Sequence, residues 1–127
     1  MTARHVLAIG ALALHGCLAE TDDFARRSAR HACTRFEACD AEFFQGQYGG
    51  DRSECRDDVE NNNRFTFDAQ LAMGCTYEPS RARACINVAR KDRKDCSADA
   101  QLRIANACQG VLDCSLSGAT DPERPPD

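Results

Sequence analysis

The chain has 127 residues and a formal net charge of −4, with sixteen Lys and Arg against twenty Asp and Glu. That length suits one domain, and the balance offers no excess of positive charge for nucleic acid. Nine cysteines point to an oxidising compartment rather than to a reduced cytosolic enzyme.

The chain opens on an export pattern. Arg4 and His5 form a short basic start, and Val6 to Leu14 is uncharged and apolar. This run is far below the ~20 residues of a spanning helix and fits the apolar region of a signal peptide. No later run is long or apolar enough to span either. Leu14-His15-Gly16-Cys17 resembles the bacterial lipobox, with His15 bulkier than the usual occupant. The resemblance implies diacylglycerol on the Cys17 thiol, cleavage just before it and acylation of the new amino group. Several acyl chains anchor firmly, since each buried CH₂ adds ~0.8 kcal/mol. By the same resemblance, Leu18 in place of Asp favours the outer membrane or cell surface. The competing reading is a periplasmic or secreted chain, cut after Ala13 or Ala19. The expected layout is a signal peptide at 1–16, a lipidated tether at 17–21, a helical domain at 22–116 and a disordered tail at 117–127. Pro122, Pro125 and Pro126 lie in that tail. Cleavage at Cys17 removes Arg4 and lowers the net charge by one.

Setting Cys17 aside leaves an even set: Cys33, Cys39, Cys55, Cys75, Cys85, Cys96, Cys108 and Cys114. Four disulfides are the expectation. Leu, Ile, Val and Met number only eleven after Cys17, so the core is thin and needs reinforcement. Zinc is the competing reading, but no CxxC is present and His31 is the one histidine after Cys17. The absence of CxxC also argues against thiol–disulfide catalysis. No metal and no cofactor beyond the lipid on Cys17 is expected.

A helical period begins at Thr21, where Thr21, Asp22 and Asp23 offer caps. Phe24, Ala25, Ala29, Ala32, Cys33, Phe36 and Cys39 recur at threes and fours, predicting a helix over 22–39. Gly46, Gly49 and Gly50 predict a loop at 40–50. Asp51-Arg-Ser-Glu54 resembles a capping box, opening a helix over about 52–61 that Asn61-Asn62-Asn63 ends. A short helix follows from Phe65 to Met73, stopped by Gly74. Another begins near Pro79 with Ser80 as cap, and Ala82, Cys85, Ile86 and Ala89 form its apolar stripe. Ser97 to Leu116 is the last helical stretch, broken near Gly110. Strand-like alternation is absent. The fold class is all-α, a disulfide-stapled bundle of four to five helices.

Helix geometry limits the pairing. Six residues rise roughly 9 Å, and a disulfide needs Cα atoms within about 7 Å. Cys33 therefore does not bond Cys39, nor Cys108 bond Cys114, where those segments are helical. Cys85 and Cys96 are also too far apart on one helix. Cys39–Cys55 across the glycine loop is the preferred pair, and the other three stay open.

No catalytic constellation emerges. His31 and Cys33 are two apart on a helix and do not face each other, so His31 is expected at the surface. Phosphate-loop patterns are absent. One charge feature remains: Arg81, Arg83, Arg90, Lys91, Arg93 and Lys94, interrupted by Asp92 and Asp95. It reads either as a solvated helix end or as a patch for an anionic lipid or polysaccharide.

The layout resembles small cysteine-rich predicted lipoproteins of myxobacteria and related bacteria. The likeness rests on Leu14–Cys17, Cys33-x5-Cys39, Tyr48 to Cys55, Cys75-Thr76-Tyr77, Ala84-Cys85, Cys96 and Cys108-x5-Cys114. It implies a helical envelope domain and brings no activity with it. The expected function is a non-enzymatic, envelope-anchored interaction module with a protein or glycan partner. The alternative is a small-ligand or lipid carrier with a cavity lined by Phe36, Phe43 and Phe44. Plant lipid-transfer proteins share the eight-cysteine helical design, but their adjacent CC and CxC pairs are missing here.

Overall fold

The computed structural model describes residues 20–115. The signal at 1–16, Cys17 with its tether up to residue 19, and the tail beyond residue 115 lie outside the described residues. The described chain is mostly helical, in the order α1 (Thr21–Cys39), α2 (Ala41–Tyr48), α3 (Arg52–Ala72), β1 (Thr76–Tyr77), α4 (Pro79–Asp92), α5 (Ala98–Cys108) and β2 (Leu112–Asp113). Four disulfides staple it, which is consistent with folding outside the reducing cytoplasm.

α1 carries Asp22 and Asp23 in its first turn, where carboxylates oppose the positive end of the helix dipole. Its cap is Glu20, which accepts the Phe24 N–H through its main-chain oxygen at 3.3 Å. The expected loop at 40–50 is largely a helix. Asp40 caps α2 by accepting from the Phe43 N–H at 3.3 Å, and Phe44 and Tyr48, one turn apart, are both buried. Gly49 ends it with φ +58°, a left-handed conformation that glycine adopts without steric cost.

Asp51 caps α3, accepting from Ser53 N at 2.7 Å and Glu54 N at 3.2 Å. The reciprocal half of the expected capping box is not formed, because Asp51 N donates to Tyr48 O at 2.9 Å. α3 runs through the asparagine triplet and merges the two helices expected at 52–61 and 65–73. Asparagine lowers helix propensity only modestly, and packing against α1 outweighs it. Asn63 donates to Ser28 Oγ at 3.1 Å, while Asn61 and Asn62 face solvent.

α1 and α3 form an antiparallel pair whose register is fixed at four levels. Arg52 pairs with Glu37, its Nη2 at 3.0 Å from Glu37 Oε1. Cys33 bonds Cys55, with Cα atoms 6.0 Å apart. Asn63 meets Ser28, and Phe67 meets Phe24 with ring centroids 5.4 Å apart. This register overturns the preferred Cys39–Cys55 pair. α2 takes up the chain between the two helices, so Cys55 meets α1 beside Cys33, more than a turn and a half back from Cys39. Cys39 is left at the end of α1 and bonds Cys96 in the α4–α5 connection, Cα atoms 5.3 Å apart.

The second pair of helices is α4 and α5. Pro79 occupies the first turn of α4 after the Glu78 cap, so Ser80 lies inside the helix rather than capping it. Ser97 caps α5 by accepting from Ala100 N at 3.1 Å. Cys85 bonds Cys108 with Cα atoms 4.5 Å apart. At Gly110, φ +74° breaks the last helical stretch as expected. Beyond it, Leu112 and Asp113 pair antiparallel with Tyr77 and Thr76, a two-residue ladder that the sequence pattern did not signal. Cys114 closes onto Cys75, Cα atoms 4.1 Å apart. Cys114 therefore lies off the helix that carries Cys108.

The core is divided into two small clusters, each built around a bridge. Phe24, Ala82, Cys85, Ile86 and Val111 form one, with Phe67, Tyr77 and Cys108 against it. Cys33, Phe44, Tyr48 and Cys55 form the other, with Phe36 and Val59.

Candidate functional site

Helical periodicity brings basic residues from α1 and α4 to one cleft. On α1, Arg27, Arg30 and His31 stand three and four apart. On α4, Arg83, Asn87 and Arg90 do the same, with Ile86 buried between them. Together they line a cleft of about 360 Å³. No carboxylate lines it, and no carboxylate is within ion-pair distance of Arg27, Arg30, Arg83 or Arg90 among the described residues.

Five other described arginines differ. Arg26 pairs with Asp23, Arg52 with Glu37, and Arg64 with Glu60 at 2.6 Å. Arg103 donates to Asp92 at 2.8 Å and Asp95 at 3.3 Å. Arg35 reaches the carbonyl of Asp92 at 3.0 Å, the carbonyl of Asp95 and Gln101 Oε1 at 3.1 Å.

The two acids that interrupt the basic run in the sequence are thus turned away from the cleft. Asp92 is buried against Arg103. Asp95 also accepts from Ser97 N at 3.0 Å, and this bond is the first cause of its lowered pKa.

His31, expected at the surface, is half-buried in the seam between α1 and α4. Its pKa lies below the ordinary value of 6.5, first through burial and then through the positive charges of Arg93, Arg30, Arg90 and Arg27. Four guanidinium groups thus act on one imidazole. Arg93 sits at the rim, its Nη1 on the Arg90 carbonyl at 2.9 Å.

The basic patch read from the sequence divides here. Arg83, Arg90 and Arg93 turn towards α1. Arg81 lies apart, against the Gly110 turn and near Asp113. Lys91 and Lys94 are exposed outside the cleft lining, Lys94 on the side of Glu37. Arg27 and Arg30, absent from the sequence-derived patch, supply half of the cleft's arginines. The signal was present in their three-residue spacing beside His31, but the partner helix was not.

Comparison with family models, curated proteins and solved structures returned no match. The geometry of the chain itself therefore carries the functional reading.

A second depression lies on the other side of the α1–α4 seam. Ala32, Phe36, Cys85, Ala89, Ile104 and Cys108 line a groove of about 450 Å³ between α1, α4 and α5, and His31 borders it too. Of the three aromatics expected to line a cavity, Phe36 lines this groove and Phe43 and Phe44 do not. Phe44 is packed inside the second core cluster, and Phe43 is 43% exposed. All eight cysteines among the described residues are in bridges, which leaves none of them as a thiolate for a metal.

Proposed function

We propose that this chain is a non-enzymatic, lipid-anchored domain of the cell envelope that recognises an anionic partner through the α1–α4 cleft. The single observation behind this is the convergence of Arg27, Arg30, Arg83 and Arg90 with no carboxylate lining the space between them. Like charges held close destabilise a fold unless something offsets them. Among the described residues, Arg26, Arg52, Arg64 and Arg103 are paired with carboxylates, whereas these four are left open to an outside anion. The lipobox-like Leu14–Cys17, and the resemblance to envelope lipoproteins, supply the anchor and the location.

The test uses the native chain extracted from membranes. Mass spectrometry is expected to find lipid on Cys17 and no free thiol among the other eight cysteines. An unacylated chain beginning at Leu14 or Glu20 refutes the anchor. Retention on isolated anionic envelope polysaccharide is expected at low salt and is expected to be lost in the Arg30→Gln, Arg90→Gln double variant. Equal retention of that variant refutes the cleft as the recognition surface.

The groove of about 450 Å³ favours a second reading, a carrier of a small apolar ligand. Its volume falls within the range of small-molecule sites. Displacement of a fluorescent fatty acid that is abolished by Ala89→Phe supports this reading, and no binding of the probe removes it.

A further inference from the structure

The chemistry of the α1–α4 cleft selects among anions, an inference that rests on reading the cleft as the recognition surface. Guanidinium groups come from both walls: Arg27 and Arg30 from α1, Arg83 and Arg90 from α4. Each guanidinium is a planar fork of donors that matches two oxygens of an oxyanion. One carboxylate has two oxygens and a single charge, so side-on pairing with one fork leaves only its outer lone pairs for the opposite wall and most of the gathered positive charge without an offset. A phosphoryl group offers three oxygens arranged around phosphorus and can meet forks from both helices at once. As a monoester at neutral pH it carries nearly two charges, closer to the positive charge gathered here. Ile86 is buried beneath the cleft and Asn87 adds an amide that can donate or accept. A volume of about 360 Å³ exceeds what a lone phosphoryl group fills and lies at the small end of ligand pockets.

We infer that the α1–α4 cleft is a binding site for a phosphate monoester dianion, held between the arginines of α1 and those of α4. The shared chemistry is the phosphoryl group, whether carried as free phosphate or on a compact polar body such as a sugar. His31 borders the phosphoryl position. The charges that face it are Arg27 and Arg30 from its own helix and Arg90 and Arg93 from α4. A bound dianion offsets those charges and moves the imidazole towards its protonated form.

The experiment is calorimetric titration of the full mature chain at about pH 7.5, where a phosphate monoester is dianionic. The probes are glucose 1-phosphate, inorganic phosphate, glucuronate and glucose. Glucose 1-phosphate is expected to bind at least about tenfold more tightly than glucuronate, and glucose not at all. Tighter binding of glucose 1-phosphate than of inorganic phosphate assigns the site to a sugar-borne phosphoryl group. Equal binding assigns it to free phosphate, with the phosphoryl chemistry upheld. Arg30→Gln with Arg90→Gln is expected to weaken binding by at least about tenfold. Lys91→Gln with Lys94→Gln is expected to leave it unchanged. Both doubles are checked for four intact disulfides and an unchanged helical spectrum. In the wild type, the His31 imidazole resonances are expected to shift towards the protonated position on adding glucose 1-phosphate. Glucuronate binding as tightly as glucose 1-phosphate overturns the inference, as does indifference to Arg30 and Arg90. Where neither phosphate probe binds but polysaccharide retention still depends on Arg30 and Arg90, the phosphoryl inference fails and the envelope reading stands. Where retention is also indifferent to those arginines, both fail.

Discussion

Arg103 donates to the buried carboxylate of Asp92 across the α4–α5 turn, Nε to Oδ2 at 2.8 Å. The pair closes the end of α4 and points Asp92 away from the arginines on the other side of the helix. A buried carboxylate left without its partner is costly, whereas removing both members is often nearly neutral. Arg103→Met is therefore expected to lower the thermal midpoint. The Asp92→Asn, Arg103→Met double is expected to recover most of the loss. A double-mutant cycle reads the coupling, and additive effects would show that the pair does not act as a unit.

Gly46 is an exposed glycine inside α2, and a Cβ there meets nothing within 4 Å. Glycine in a helix interior costs roughly 0.5–1 kcal/mol relative to alanine. Gly46→Ala is expected to raise stability by about that amount in urea unfolding. Gly110 is the opposite case. Its φ is +74°, and an added Cβ would stand 2.7 Å from Arg81 Nη1. Gly110→Ala is expected to destabilise, and an unchanged midpoint would contradict this account of the turn.

Asp51 satisfies two amide donors at the start of α3. Asp51→Ala is expected to cost about 0.5–2 kcal/mol, and Asp51→Ser much less. Chemical denaturation of the two variants separates the loss of the cap from the loss of charge.

Because the folded state holds the His31 pKa below its ordinary value of 6.5, the unfolded chain takes up this proton first as the pH falls. The His31 contribution to stability is complete above about pH 6.5 and is lost as the pH drops from there through the lowered folded value. Stability measured between neutral pH and pH 5 is expected to fall less steeply in His31→Gln than in the wild type. Parallel curves would remove His31 as the source.

Access to the bridges differs. Cys33 and Cys55 are 1% and 0% exposed, whereas Cys96 is at the surface. Thiol–disulfide exchange requires approach to a sulfur. Limited reduction followed by alkylation and peptide mapping is expected to label Cys39 and Cys96 well before Cys33 and Cys55. Early labelling of the Cys33–Cys55 pair would contradict the burial.

The helical class and the four-bridge framework were legible because apolar spacing and cysteine parity are local properties of the chain. The Cys39–Cys55 expectation failed because it depended on the route between two helices. Three glycines suggested an open loop, but Asp40 capping and the burial of Phe44 and Tyr48 wound that segment into α2 and displaced Cys55 along α1. The asparagine triplet misled for a related reason, since α1 packs beside α3 and holds Asn63 through Ser28. The cleft was half legible. Arg83, Arg90 and Arg93 stood out as a run, while Arg27 and Arg30 gained meaning only once α1 lay beside α4. Likewise, the two acids interrupt the run in the sequence, and only the bonds made by Arg103 and Arg35 show that the chain there lies to the other side.

The spans closed by the bridges overlap without a gap, from Cys33–Cys55 through Cys39–Cys96 to Cys75–Cys114. Any single backbone cut between residues 33 and 114 is therefore straddled by at least one covalent link. A protease that nicks this stretch once does not shed a fragment, and the nicked domain stays one particle until a reductant arrives. For a protein facing hydrolytic surroundings, such overlap gives tolerance to damage as well as resistance to unfolding.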